Sequence, residues 1–387
     1  MTLQQTPQAG TAAGADTLAE LSVFLIESPI MMARQQGVGD VQGTVKRVLI
    51  RLTSAEGVVG WGEAAPWEVF TGTAEAAFAA LDSYLRPLVI GWPLSNIRGL
   101  MQAMDRRMVG HGEAKLAIEM AMYDILGKRA GLSVAELLGG RVRDTIPLSF
   151  SIADPDFEAD MERMKKMVPE GNVIFKVKTG VKPHDVDMKH LAEMRAEFGD
   201  SIDLRLDYNQ ALAPFGALRV LRDVEQFRPI FIEQPVPRDA LSAMAGFRAA
   251  LDSPILADES CFDARDLMEI IRLDAADAIS VKLMKAGGLQ KAQGLMAIAD
   301  TAGIPGYGGT LWEGGIALAA GTQFIAATPG MSLGCEFYMP HHVLTVDVLE
   351  ERIANVAGQV VVPQGPGLGI KVTEASVREN ARILATA

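Results

Sequence analysis

The chain has 387 residues, 49% of them hydrophobic and 22% charged, enough to bury two or three cores and unlike a disordered, collagenous or coiled-coil sequence. Forty-eight acidic residues against 36 Lys and Arg leave a formal charge of −12, which repels phosphate backbones and anionic membranes and argues against nucleic-acid binding. Cys261 and Cys335 are too few for a disulfide framework, and no run of about eighteen apolar residues marks a membrane helix. Residues 1–16 lack the basic start and apolar core of a signal peptide, so a disordered tail on a cytoplasmic protein is expected.

From residue 17 the chain alternates like a sheet. LAELSVFLIES, TVKRVLIRLTS and VVGWGEAAP read as three strands, with turn signals at Gly39, Asp40, Gly43 and Glu56-Gly57. The connection PIMMARQQGVGDVQG is about fifteen residues long, a length that compact domains reserve for lids and binding loops. Residues 30–43 are therefore expected to be a mobile lid that orders over substrate. Helical patterns follow at 73–89, 95–109 and 112–131. The last is apolar around most of its circumference and predicts a buried, domain-joining helix stopped by glycine. Residues 17–140 read as one α+β domain.

From Thr145 short apolar runs alternate with amphipathic stretches. TIPLSFSI, VIFKVKTG, IDLRLDYN, PIFIEQP, PILADES, AISVKLMK, IPGYGGT and SLGCEFYM are eight strand candidates, with helical patterns such as 183–198, 213–227 and 289–302 between them. This alternation predicts a parallel β/α barrel over 141–340, with an open doubly wound sheet as the other arrangement it allows. Neither GxGxxG nor GxxxxGK[ST] joins a strand to a helix, which removes the commonest dinucleotide and nucleoside-triphosphate readings. The last segment, 341–387, returns to strand-like text with a PQGPGLG turn and is expected to pack back on the first domain.

Barrel enzymes place their chemistry at the C-terminal ends of the strands. Those ends read Lys176 and Lys178 in FKVK, Asp207 in LRLD, Glu233 in IFIE, Asp258 in ILAD, Lys282 in ISVK and Glu336 in LGCE. Three carboxylates gathered at one mouth repel each other and lose hydration, and a hard divalent cation relieves both. Oxygen ligation without His or Cys favours Mg²⁺ or Mn²⁺ over Zn²⁺. Lys176 and Lys178 are two apart and share the inward face; Lys282 comes from across the axis. An ammonium beside another ammonium and a metal is expected to have a lowered pKa and to serve as a base. Lysines on opposite sides of a metal-held carboxylate suit proton transfer at the carbon next to it. The competing reading is structural pairing, Lys282 with Asp258 for example.

The order KxK, Asp, Glu, Asp-Glu-Ser, Lys resembles the enolase superfamily, specifically its muconate-lactonizing subgroup. WGEA, ELLGGRVRD, FKVKTG, DYNQA, FIEQP, LADES, VKLMKAGG, YGGTLWEGG, LGCEFYMP and the terminal GPGLG carry the likeness along nearly the whole chain. The resemblance implies an N-terminal α+β capping domain on a modified (β/α)₇β TIM-type barrel, in a homo-oligomer that in this family is often an octamer. It makes Asp207, Glu233 and Asp258 the metal ligands, with Asn209 and Glu259 behind them. Lys178 becomes the acid/base catalyst, Lys176 its neighbour, Lys282 the lysine of the opposite face and Glu336 a pocket carboxylate. The implied reaction on a small carboxylate is closure of cis,cis-muconate to muconolactone. Racemisation or epimerisation of an N-acyl amino acid, or o-succinylbenzoate-synthase-like chemistry, would use the same lysines. Dipeptide epimerases of the subgroup carry Asp-x-Asp on the eighth strand, where this chain has Gly334-Cys335-Glu336. Substrate contacts are expected from Trp67, Thr310, Tyr338 and the lid residue Arg34. Trp67 stands where a smaller aliphatic residue is expected, and His341 and His342 are placed to rim the pocket.

Overall fold

The computed structural model describes residues 16–382, so all of the expected tail except Asp16 lies outside the described residues. Strands β1 (Leu18–Pro29), β2 (Thr44–Ser54) and β3 (Val59–Ala64) pair as an antiparallel meander. The first helical pattern is broken into α1 (Ala74–Ala79), a π-helical turn at Ala80–Leu85, and α2 (Arg86–Val89). Pro87, which has no N–H to continue the ladder, stands at the start of α2 and accounts for the break. Next come α3 (Ile97–Arg107), capped by Asn96, and α4 (Gly112–Ala130), which ends at Gly131 in the left-handed region. A Ser133–Glu136 capping box then opens α5 (Val134–Leu137).

Helix α4 is buried along most of its length, as its all-round apolar character requires. Two strand glycines let it in. A Cβ at Gly60 would lie 2.1 Å from the Ala121 carbonyl oxygen, and one at Gly62 would lie 1.9 Å from that of Ala117. No side chain fits between that strand and that helix.

The barrel begins after β4 (Thr145–Pro147) with β5 (Ser149–Ile152), α6 (Phe157–Met167) and β6 (Ile174–Lys178). It continues through α7 (His184–Phe198), β7 (Asp203–Asp207), α8 (Ala217–Val224) and β8 (Ile232–Glu233). Then follow α9 (Leu241–Ala250), β9 (Ile255–Ala257), α10 (Ala264–Leu273) and β10 (Ala278–Val281). The last repeat comprises α11 (Leu283–Ala286), α12 (Leu289–Thr301), β11 (Gly306–Gly308) and α13 (Gly315–Ala327). Strands β5 to β11 form one parallel sheet in sequence order, so the barrel and not the doubly wound sheet is the outcome.

Two strand expectations change. TIPLSFSI is split at Pro147, whose missing N–H ends one ladder, so that only β5 joins the barrel. SLGCEFYM is not an extended strand. It closes the barrel through Cys335 alone, which bridges Leu148 on one side and Gly308 on the other. Gly334, at φ +76°, turns the chain out of extended geometry just before that bridge.

After the barrel come α14 (Pro340–Val343), β12 (Asn355–Val356), β13 (Gln359–Val361), α15 (Glu374–Asn380) and β14 (Ala381–Arg382). Strand β13 pairs with β4, and β14 adds to β1 through Leu25 and Arg382. Among the described residues no helix is long and apolar enough to cross a membrane.

Residues 30–43 lie against the barrel mouth. Met31 N–H donates to the Val343 carbonyl and Gln35 N–H to that of Ala153, while Arg34 and Val41 exchange both backbone hydrogen bonds. Gly37 rests on the Tyr208 and Asn209 carbonyls, where a Cβ would come within 2.2 Å. The closed bottom of the barrel is a plug of Phe231, Leu256, Ala278 and Tyr307.

Glu119 joins the two halves. This buried α4 carboxylate accepts the backbone N–H groups of Leu289 (2.5 Å) and Gln290 (3.2 Å) at the start of α12. Burial outweighs those two donors and pushes its carboxyl up to about 7. A carboxyl raised in the folded state holds its proton there while the unfolded chain has lost it. Its contribution is thus complete below about pH 4.5 and lost as pH rises through 7. Urea unfolding of Glu119→Gln across this window should show the variant gaining on the wild type by up to about 1.4 kcal/mol per pH unit. A stability difference flat from pH 4.5 to 7.5 would contradict the assignment.

Candidate active site

The site is built by strand register. Lys178 pairs with Asp207 across β6 and β7, and Asp207 pairs with Glu233 across β7 and β8, which brings successive strand ends to one height. Asp207, Glu233 and Asp258 are each 0% exposed. The backbone then swings away through left-handed residues at Asn209, Gln210 and Gln234, a conformation that non-glycine residues adopt at a cost of about 1–3 kcal/mol. The Gln234 amide repays this locally. Its oxygen accepts from the N–H groups of Asp258 and Ser260, and its nitrogen donates to Ser260 Oγ at 2.8 Å.

Ammonium groups interleave with these carboxylates. Lys176 Nζ lies 3.0 Å from Asp207, 2.9 Å from Glu233 and in close contact with Glu336. Lys178 Nζ donates to Asp207 Oδ2 at 2.5 Å and to Asn209 Oδ1 at 2.9 Å. Asn209 passes the link on, donating from Nδ2 to Glu259 Oε1 at 3.0 Å. Across the mouth, Lys282 Nζ lies 2.6 Å from Asp258 Oδ2. Lys285 occupies the other oxygen at 2.6 Å and also donates to the Asp258 and Ser280 carbonyls. The structural pairing of Lys282 with Asp258 is therefore present.

Lowered lysine pKa values are expected beside a bound metal; among the bare carboxylates the direction is upward. Desolvation pulls the three lysines down, but Asp207, Glu233 and Glu336 hold Lys176 above its ordinary value. Asp207 does the same for Lys178, and Asp258 for Lys282. Asp207 and Asp258 are held below the usual carboxylate range by the same lysines, against their burial. Glu233 goes the other way, pushed up to about 8 by burial and by its carboxylate neighbour Asp207, which outweigh Lys176.

Among the described residues no three His, Cys, Asp or Glu side chains stand ready as an ion cage. Each of the three carboxylates has an ammonium group within hydrogen-bonding distance. The donor set nevertheless fits a hard divalent cation. Its members are buried carboxylates on adjacent strands, and Glu233 Oε1 is buried with no partner.

Aromatic rings from the first domain and from the barrel roof the site together. Phe70 lies 4.5 Å from Lys282 Nζ, Trp67 stacks on Phe70, and Trp312 meets Trp67 edge-on. Trp312 also packs on Tyr338, whose backbone N–H donates to Thr310 Oγ1, while Thr310 donates to the Glu336 carbonyl. Arg34 is buried over the Tyr338 ring at 4.8 Å and donates to the Ser151 carbonyl at 3.0 Å. His341 and His342 do not rim this site; they line a separate cleft of 510 Å³ with Met31, Met32 and Arg163.

Lys285, Phe70 and the Arg47–Glu63 pair escaped the sequence reading. Lys285 lies beyond its strand, in a short helix, so a search of strand ends passes over it. Glu63 accepts from Arg47 at 2.9 Å and from the N–H groups of Gly314 and Ala317 at the start of α13, tying β2 and β3 to the barrel. Only its place in WGEA could have flagged it.

Comparison with known proteins matches residues 20–139 to the mandelate racemase/muconate lactonizing enzyme N-terminal domain and residues 159–376 to the enolase C-terminal domain-like family. A crystal structure of a muconate cycloisomerase from Azorhizobium caulinodans is 70% identical, with a TM-score of 0.87 over 95% of this chain and 99% of that one. The muconate lactonizing enzyme of Pseudomonas fluorescens, solved with muconolactone, is 32% identical with a TM-score of 0.91 over 95% and 100%. The L-Ala-D/L-Glu epimerase of Bacillus subtilis is 32% identical over 84% of this chain and 89% of its own length.

Lys176 is the ammonium on which three carboxylates depend. Lys176→Met should lower the stability of chelator-treated protein by about 3–5 kcal/mol in urea unfolding, because it strands buried charge. An unchanged unfolding midpoint would show that other groups neutralise those acids.

Proposed function

The chain is an isomerase belonging to the mandelate racemase/muconate lactonizing enzyme family of the enolase superfamily, and on that premise we propose that it closes cis,cis-muconate to muconolactone with Mg²⁺ or Mn²⁺. The observation that carries the reading is lysines on opposite walls, Lys178 from β6 and Lys282 following β10, flanking the carboxylates of β7, β8 and β9. Asp207, Glu233 and Asp258 are the proposed ligands. When bound there, a divalent cation stabilises negative charge on the substrate carboxylate it faces.

The chain's own residues supply the rest. One carboxylate of the substrate adds across the alkene, forming the ring C–O bond, and the electron pair moves to the carbon next to the other carboxylate. Lys178 delivers a proton to that carbon from Nζ, with Asp207 and Asn209 fixing its direction. Lys176 and Glu336 keep the field around Lys178 balanced. Capping rings and the lid exclude water, so the carbanionic charge is not quenched indiscriminately. A second reading, proton removal from one face and return on the other of an N-acyl amino acid, is supported by the same lysine pair and by the epimerase relative. The Gly334-Cys335-Glu336 text speaks against its dipeptide form.

Chelation should abolish turnover and Mg²⁺ or Mn²⁺ should restore it. Asp207→Asn and Glu233→Gln should weaken metal binding in a titration, whereas full activity after thorough chelation would sink the metal assignment. Lys178→Ala should lose several orders of magnitude in turnover. Lys282→Ala separates the two reactions: a milder loss marks cycloisomerisation, and an equally severe one marks racemisation. Solvent-deuterium exchange reads the two faces separately. If both variants exchanged the α-proton at the wild-type rate, neither reading would stand.

A further inference from the structure

Behind Asp258 and Lys285 the barrel wall carries a cleft that the proposed reaction does not use. It lies between α10 and α12 and has a volume of 340 Å³, within the usual range for small-ligand sites. Phe262, Ala286, Leu295 and Ile298 give it an apolar floor, while the exposed residues Arg265 and Lys291 stand on its rim. None of the lysines and carboxylates of the mouth lines it. Phe262 is the shared wall. Its ring lies 5.5 Å from Lys285 Nζ, is stacked on Phe70 and carries the Arg238 guanidinium at 4.5 Å.

Gly294 shapes this cleft. It is an exposed residue in the interior of α12, where glycine is less favourable than alanine because it loses more backbone freedom on folding. Its backbone is not left-handed, and nothing lies within 4 Å of the position a Cβ would take. Neither conformation nor close packing within this chain therefore demands a glycine there. The room that a side chain would fill belongs to the cleft instead.

The rim supplies one free cation. Arg265 uses only its backbone N–H, which donates to the Asp263 carboxylate, and its side chain has no ion pair or hydrogen bond among the described residues. Lys291 is already paired with Asp105 at 2.9 Å. Asp263 also lines the cleft, but its carboxylate is engaged as the cap of α10, accepting from Arg265 N–H at 2.8 Å and Asp266 N–H at 3.1 Å. An apolar floor beside one free guanidinium suits a ligand with an apolar body and a single negative end. A dicarboxylate would press its second charge onto the apolar floor. A flat ring finds an aromatic partner in Phe262. We propose that this cleft is a second ligand site, separate from the barrel mouth, which binds an aromatic monocarboxylate with its ring over Gly294 and its carboxylate on Arg265.

Calorimetry of the full-length enzyme supplied with Mg²⁺, using 4-bromobenzoate and the neutral 4-bromobenzamide, tests this together with crystals soaked in the acid. The wild type should bind the acid with a Kd of about 0.1–1 mM. It should bind the amide about fivefold more weakly, a modest margin because Arg265 is exposed. Anomalous scattering from bromine should place the ring over Gly294. Gly294→Leu puts a side chain into the cleft and should abolish this binding. Its urea unfolding midpoint should not fall below that of the wild type, since leucine favours a helix. Arg265→Met should erase the preference for the acid while keeping amide affinity within about twofold. Bromine found only between Lys178 and Lys282 overturns the proposal, as does acid binding unchanged in Gly294→Leu. Binding at crystal concentration only, with no heat in solution, overturns it too. Should Gly294→Leu fail to fold, Arg265→Met decides: equal affinity for acid and amide supports the site, and an unchanged preference overturns it.

Discussion

Alternation of charge in a space without water is the constraint on which the mouth of this barrel depends. Asp207, Glu233, Asp258 and Glu336 are all buried, as are Lys176, Lys282 and Lys285, and each ion has an opposite neighbour. Taking an ion out of water costs several kcal/mol even after relaxation, so loss of Lys176, which serves Glu233 and Glu336 as well as Asp207, strands buried charge. Parallel register makes the alternation possible. It sets Lys178 beside Asp207 and Asp207 beside Glu233, while the plug of Phe231, Leu256, Ala278 and Tyr307 closes off the bottom.

The capping domain covers part of that dry space, and Trp312 of the barrel itself completes the cover. Phe70, Trp67 and Trp312 cover the Lys282 side, and the lid covers the Lys178 side. Roof and barrel are joined by charges placed on helix starts. Glu63 meets the first N–H groups of α13, and Glu119 meets those of α12, where a carboxylate finds donors with no helical partner of their own. The C-terminal β14 runs back to the capping sheet on β1, so the chain's end also ties the two together.

The strand-end residues were legible because a buried parallel strand is an apolar run, and a charge that closes such a run stands at the barrel rim. Residues 141–340 therefore disclosed the charged groups of the rim in order, from Lys176 to Glu336. Lys285 did not, since it acts from a helical turn past its strand and holds Asp258 partly through a backbone carbonyl. Arg34 was visible only as a charge in a loop, because an irregular segment has no period from which to read a buried side. The lysine pKa directions among the bare carboxylates were not legible for a related reason. Whether desolvation or a neighbouring carboxylate wins depends on distances of a few ångströms, which residue order does not state.

Residue order by itself determined the sequence of elements, the acids and ammonium groups at the rim, the buried α4 helix stopped by glycine, and membership in the enolase superfamily. These are properties of local pattern, in which apolar period and the residue that interrupts it are separated by a few positions. Tertiary structure decided which ammonium neutralises which acid, that a single residue, Cys335, closes the barrel, and that the lid's guanidinium is buried without a counter-ion. Each of those turns on groups far apart in the chain, such as Arg34 and the Ser151 carbonyl at a separation of 117 residues, whose meeting is fixed only when the strands between them have found their register.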